Sequence, residues 1–158
     1  MKARMPFRRL FTTTSVAALL VASSGALADT IIDTPADSYT IDFDTDYVSI
    51  ETTLSNDVGI DGLVIADSGT DIYSVYNSDT GVIDVSDDAE ELDDGYNGAL
   101  NGILVTDDAD VGYVSNGGAI TVSAQTSQLG EDSRRASGIR VEDGAGVNDI
   151  SNSGEITV

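Results

Sequence analysis

The sequence predicts an all-β fold, a right-handed parallel β-helix (a solenoid) of few coils with N-terminal capping strands, and three observations carry that prediction. First, Val114–Val122 reads VSNGGAITV and, thirty-six positions later, Ile150–Val158 reads ISNSGEITV. The same register extends upstream, where Gly102-Ile103-Leu104-Val105-Thr106-Asp107 and Gly138-Ile139-Arg140-Val141-Glu142-Asp143 share Gly, aliphatic, any, Val, any, Asp. A looser third copy starts at Gly62-Leu63-Val64-Ile65 and closes at Asn77, Gly81, Ile83 and Val85. Repeats of this size stack as units that lack a core of their own. Second, aliphatic residues recur in pairs two apart, the period of a half-buried strand. Third, the punctuation between pairs, Asp143-Gly144-Ala145-Gly146 and Asn152-Ser153-Gly154, is too brief for helical crossovers. Short strands of three or four residues must then turn directly into one another, each pairing with its counterpart in the next coil.

Taken in chain order, residues 1–28 read as a signal peptide. Lys2, Arg4, Arg8 and Arg9 precede a weakly apolar run from Leu10 to Gly25, and Ala26-Leu27-Ala28 is a small-x-small cleavage site before Asp29. Val16–Ala22 falls well short of the ~20 apolar residues that a spanning helix needs. Residues 29–56 are expected to supply capping strands, because Tyr39, Ile41, Phe43, Thr45 and Tyr47 alternate with Thr40, Asp42, Asp44 and Asp46. The open end of an array must be covered by such strands.

Residues 57–158 form the repeats. The alternation points Leu63, Ile65, Ile83 and Val85 inward, then Ile103, Val105, Ile120 and Val122, then Ile139, Val141, Ile156 and Val158, with Asp84, Thr121 and Thr157 as one outward row. The spacers Ser86–Asn101 and Ser123–Ser137 are polar and read as loops, the expected contact surface of the module, the first carrying one capped helical turn from Asp87 through Leu92. The sequence reaches Val158 on an inward position, so the repeat array is expected to be incomplete, with further Gly-Ile-x-Val coils downstream.

Charge narrows the choice of partner. Residues 1–28 hold four of the seven basic residues and no acidic one, leaving 28 acidic against 3 basic residues and a net charge of −25 in the exported part. Such a surface repels nucleic acid and anionic membrane. Cysteine and histidine are absent and the exported part has no lysine, which removes most nucleophiles, general bases and zinc ligands. Catalysis would have to use carboxylates.

The acidic motifs favour structure over chemistry. Asp42-Phe43-Asp44-Thr45-Asp46 opens like a calcium loop, but Tyr47 stands where the sharp-turn glycine belongs and Thr53 where the bidentate glutamate belongs. Strand alternation instead places the three carboxylates on one solvated face. The Asp87, Asp88, Glu90, Glu91, Asp93, Asp94 run is a solvated charge cluster, open to weak surface calcium binding. Asp67, Asp107 and Asp143 recur at one repeat position. A catalytic pair is needed once, whereas a turn-forming Asp is needed in every coil. Asn77, Asn116 and Asn152 also recur, as a hydrogen-bonded ladder or as left-handed bends. No catalytic, cofactor-binding or metal-ligating residue is assigned, and no cofactor is expected.

An acidic, cysteine-free chain with an export signal and repeated Gly-Ile-x-Val and Ser-Asn-x-Gly-x-Ile-Thr-Val units resembles the passenger domain of a bacterial autotransporter, over about Gly62–Val158. The resemblance implies a structural or adhesive module displayed at the cell surface, not an enzyme. It would be carried across the outer membrane by a C-terminal barrel and meet glycans or proteins of a host or neighbouring cell. Two alternatives stand beside it. One is a carbohydrate-active enzyme using carboxylates, with Arg134, Arg135 and Arg140 as the basic candidates; the other is a secreted calcium-dependent matrix protein. Arg8-Arg9-Leu10-Phe11 is similar to a twin-arginine signal but departs from it at Phe7 and Thr12, so general secretion is the expected route. Amino-terminal sequencing of the exported protein is expected to return Asp29 as its first residue; a start at Met1, or well inside Ile31–Leu54, would remove the signal-peptide assignment.

Overall fold

A computed structural model describes residues 29–57, 59–66, 69–86, 99–124 and 135–158. The signal peptide, Asp67, the Asp87–Asp94 cluster with its helical turn, and Arg134 lie outside the described residues. Within them the fold is all-β. Thirteen strands run as β1 (Thr30–Ile32), β2 (Tyr39–Ile41), β3 (Thr45–Ile50), β4 (Thr53–Asn56), β5 (Leu63–Ile65), β6 (Asp71–Asn77), β7 (Val82–Ser86), β8 (Leu100–Val105), β9 (Asp110–Asn116), β10 (Ala119–Ser123), β11 (Ala136–Val141), β12 (Gly146–Asn152) and β13 (Glu155–Thr157).

They form three sheets: sheet A, in the order β1-β3-β6-β9-β12; sheet B, β4-β7-β10-β13; and sheet C, β2-β5-β8-β11. Every pairing is parallel. From β2 onward the chain visits C, A and B in that order four times, so each strand lies beside its equivalent one circuit away. Residues 29–56 supply β1, β2 and β4, the edge strands of all three sheets at one end, together with β3. The spacers are shorter than their sequence boundaries, since Ser86 and Ser123 end β7 and β10 while Asn101, Ala136 and Ser137 belong to β8 and β11.

The inward positions of the first two repeats are all buried: Leu63, Ile65, Ile83, Val85, Ile103, Val105, Ile120 and Val122. They join Ile41, Val48, Ile50, Leu54, Ile72, Val75, Val111 and Val114 in one core fed by all three sheets. In the third repeat the same positions are open. Ile139 is partly buried, whereas Val141, Ile156 and Val158 are exposed. The physical reason is coverage: among the described residues no strand lies beyond β11, β12 and β13.

Two features differ from expectation. The strands of sheet A reach seven residues in β6, β9 and β12, rather than three or four. Each bends without losing its partner. In β6, Ile72, Val75 and Asn77 face inward, so a spacing of three precedes a spacing of two. The pairing register keeps that bend aligned through Thr45, Ile72, Val111 and Val147. Between β2 and β3 the strand is interrupted around Phe43, so of the three aspartates only Asp46 lies on a strand, yet the expected alternation holds: Tyr39, Ile41, Phe43, Thr45 and Tyr47 are buried or half-buried and Thr40, Asp42, Asp44 and Asp46 are exposed.

Recurring polar residues hold the turns. Asn77 Nδ2 donates to Asn116 Oδ1 at 2.7 Å, and Asn116 Nδ2 donates to Asn152 Oδ1 at 2.7 Å. The asparagine column is therefore a ladder. Asp107 and Asp143 take left-handed conformations with φ of 56° and 52°, each followed by a second positive φ at Asp108 and Gly144. Turns with two positive φ values favour Asp-Gly and Asn-Gly. Backbone bonds from Ala109 N to Thr106 O and from Ala145 N to Glu142 O close both turns.

The repeated glycine of sheet C, just before β5 and within β8 and β11, has a packing cause. A Cβ on Gly102 would lie 2.4 Å from Ile120 Cγ2 and 2.7 Å from the Gly138 carbonyl oxygen, and Gly62 and Gly138 meet Ile83 and Ile156 in the same way. Gly102→Ala is expected to lower the unfolding free energy by about 2–3 kcal/mol through overpacking, read from urea unfolding. Adding Ile120→Ala should destabilise by less than the sum of the two single changes, because it removes the clashing methyl. Simple additivity would show that Gly102 and Ile120 do not share this contact.

Candidate functional site

The bend in sheet A creates an open groove on its outer face. Because two residues in succession face outward between Ile72 and Val75, and again between Val111 and Val114, sheet A presents Tyr73, Ser74, Gly112 and Tyr113 on its outer side. Ser74 pairs with Tyr113 in the ladder. Tyr73 therefore falls opposite Gly112, and the two tyrosines meet on a diagonal. Their ring centroids are 5.5 Å apart at an interplanar angle of 65°. An edge-to-face pair of this kind contributes about 0.5–1.5 kcal/mol beyond its buried area. The rings nevertheless remain 66% and 46% exposed.

Asp46, Asp71 and Asp110 border the rings, with Asn148 and Gly146 at the far side, and together they line a groove of about 650 Å³. Local sequence explains the hollow. Gly112 offers no side chain opposite Tyr73, and a Cβ there would approach the Tyr73 carbonyl oxygen to 2.5 Å. Asp71 and Asp110 are direct ladder partners, so like charges stand one strand spacing apart, an arrangement that destabilises a sheet. None of the three carboxylates has a hydrogen-bond or ion-pair partner among the described residues, and the strands of sheet A carry no lysine or arginine.

The residues singled out from the sequence lie elsewhere. Asp107 and Asp143 are turn residues, and the Asp143 carboxylate accepts a hydrogen bond from Thr106 Oγ1 at 3.3 Å. Asp44 Oδ1 accepts from the Asp71 backbone N–H at 3.0 Å, so it braces the start of β6 instead of lining the groove. Of the calcium-like triplet only Asp46 reaches the groove. Among the described residues no three acidic side chains come together closely enough to hold one metal ion. Arg140 forms an ion pair with Glu142 beside sheet C, and Arg135 is exposed just before β11. Neither enters the groove, so among the described residues no basic side chain stands beside these carboxylates; Arg134, the third basic candidate, lies outside them. Repeat logic missed Tyr73 and Tyr113 because neither sits in a uniform column: Tyr113 shares its column with Tyr47, Ser74 and Asp149, and Tyr73 shares its column with Asp46, Gly112 and Asn148. The signal that marks them is an aromatic residue breaking the repeat at an outward position.

Comparison with family models, with curated proteins and with solved structures gives no match for this chain.

One further titratable group is half-buried. Asp61 Oδ1 accepts from the Asn101 backbone N–H at 2.7 Å and from Asn101 Nδ2 at 3.1 Å. Burial raises its pKa above the ordinary aspartate value of 3.8 and outweighs the lowering effect of both Asn101 bonds. A raised folded-state pKa means that the folded chain binds the proton more tightly than the unfolded one. Asp61 therefore makes stability fall as pH rises from 3.8 through the folded pKa, and above that window it is a constant burden. Asp61→Asn keeps an acceptor for Asn101 and is expected to flatten this part of the stability-against-pH curve and to raise stability at pH 7. An unchanged slope in urea unfolding between pH 4 and 6 would show that Asp61 does not titrate there.

Proposed function

We propose that this chain is a right-handed parallel β-helix, exported to the cell surface as an autotransporter-like passenger module whose role is structural and adhesive. The observation that carries the reading is the fixed C, A, B order of strands in three fully parallel sheets, with each circuit in register with the next. Parallel connections of this kind are right-handed in nearly all proteins, and stacks of circuits build long, stiff surfaces suited to display. The acidic, lysine-free surface after residue 28 fits an exported location. The outer face of sheet A is the contact surface, since exposed aromatics in a groove are the usual anchors of recognition. Its partners are proteins or glycans of a host or neighbouring cell.

Fusing the full chain to a heterologous barrel and displaying it on a non-adherent bacterium tests this reading. Displaying cells are expected to gain several-fold in adherence to a layer of host or neighbouring cells, and Tyr73→Ala with Tyr113→Ala should return them to background. A displayed, protease-accessible chain that gives no gain would remove the adhesive role.

A further inference from the structure

The groove on sheet A combines features that specify the chemistry of its occupant. Two tyrosine rings set 65° apart form two walls of a corner, and three carboxylates without partners among the described residues border it. The rings offer π-faces, which attract cations, most strongly where water is partly displaced. The carboxylates add negative charge on neighbouring strands, at Asp71 and Asp110 one ladder step apart and at Asp46 opposite Tyr73. These charges repel one another while the groove is empty of cation. A metal ion is a poor match, because no three acidic groups among the described residues converge on one point. A cation that is flat, extended and rich in donors matches better.

We propose that the groove binds an arginine side chain of a partner protein. A guanidinium stacks on a tyrosine face, and its planar fork of five N–H donors spans two carboxylates, whereas a lysine ammonium is a compact, strongly hydrated point charge. In this arrangement the guanidinium lies against Tyr73 or Tyr113 and bridges Asp71 and Asp110, with Asp46 completing the charge balance. The volume of about 650 Å³ accommodates the side chain and part of its backbone. The assignment rests on the adhesive reading and narrows its partner from any surface molecule to a protein segment bearing arginine.

The test is fluorescence anisotropy of a labelled, blocked tetra-arginine peptide titrated with the full 158-residue chain at low salt, alongside a tetra-lysine peptide of equal charge. The arginine peptide is expected to bind at least tenfold more tightly, with affinity falling as salt is added. Tyr73→Ala with Tyr113→Ala, and separately Asp71→Asn with Asp110→Asn, should each weaken it at least tenfold. Tyr73→Phe with Tyr113→Phe keeps the rings and should preserve binding, and Asp84→Asn on sheet B should leave it unchanged. Far-UV circular dichroism confirms that each variant keeps its strands; should the alanine pair unfold, the asparagine pair decides alone. Equal binding of the two peptides, or arginine binding indifferent to these groove changes, would overturn the proposal in favour of diffuse attraction to an acidic surface. Displacement of the peptide by a neutral oligosaccharide through the same tyrosines would overturn it in favour of a glycan site. Adherence that persists without arginine binding sinks only the ligand class; arginine binding without adherence sinks only the adhesive role.

Discussion

In an in-register parallel stack every residue has its own equivalents as nearest neighbours, and the rest of this structure follows from that constraint. A side chain is admissible only if it tolerates copies of itself one strand spacing away, about 4.8 Å. Aliphatics satisfy this by packing, as Leu54, Ile83, Ile120 and Ile156 do in one ladder column. Asparagine satisfies it because its amide both donates and accepts, so Asn77, Asn116 and Asn152 bond in sequence. Where the column changes from Asn77 to Ile50, the bonding stops, and Asn77 Oδ1 is buried without a partner among the described residues. An unsatisfied buried acceptor costs about 1–3 kcal/mol. The ladder is thus strongest in the middle of the stack and weakest where the column switches chemistry.

The same constraint sets where stability resides. A circuit with neighbours on both sides is sealed: Val75 and Val114 are buried in adjacent strands of sheet A. Ile150, the next residue in that column, is 48% exposed. Nothing about its own sequence differs in kind; what differs is the number of faces covered. Nearest-neighbour coupling of this sort concentrates stability in interior circuits and leaves the last described circuit the first to open. The glycine-to-isoleucine contacts at Gly62, Gly102 and Gly138 reinforce the coupling, because each fixes how closely a strand of sheet C approaches sheet B.

The groove lies where the stacking rule is relaxed. The outward step of two residues in sheet A is kept from β3 to β12, but the side chains on it vary, as Asp46-Tyr47, Tyr73-Ser74, Gly112-Tyr113 and Asn148-Asp149. Tyrosine takes one column in β6 and the neighbouring column in β9, and glycine fills the position between them. The result is a recess bordered by carboxylates that repel one another. Among the described residues the inward positions repeat from strand to strand, whereas the outward positions that line this recess do not.

Much of the fold was legible in the sequence. The period, the inward aliphatics of the first two repeats, the turn-forming Asp107 and Asp143, and the recurrence of Asn77, Asn116 and Asn152 all follow from local rules of alternation and turn chemistry, which need no knowledge of distant residues. The long bent strands of sheet A were not legible, because an inward spacing of three matches neither strand nor helix period and is made acceptable only by identical bends in the neighbouring circuits. Nor was the groove. Tyr73 and Tyr113 lie forty positions apart, whereas the ladder between β6 and β9 pairs residues thirty-nine apart, so their contact is diagonal to the register and exists only once that register is set. The sequence by itself determined what each circuit must look like, because residue type and period decide which side chains face inward. The tertiary structure alone decided which exceptions meet, because that depends on how one circuit is laid upon the next.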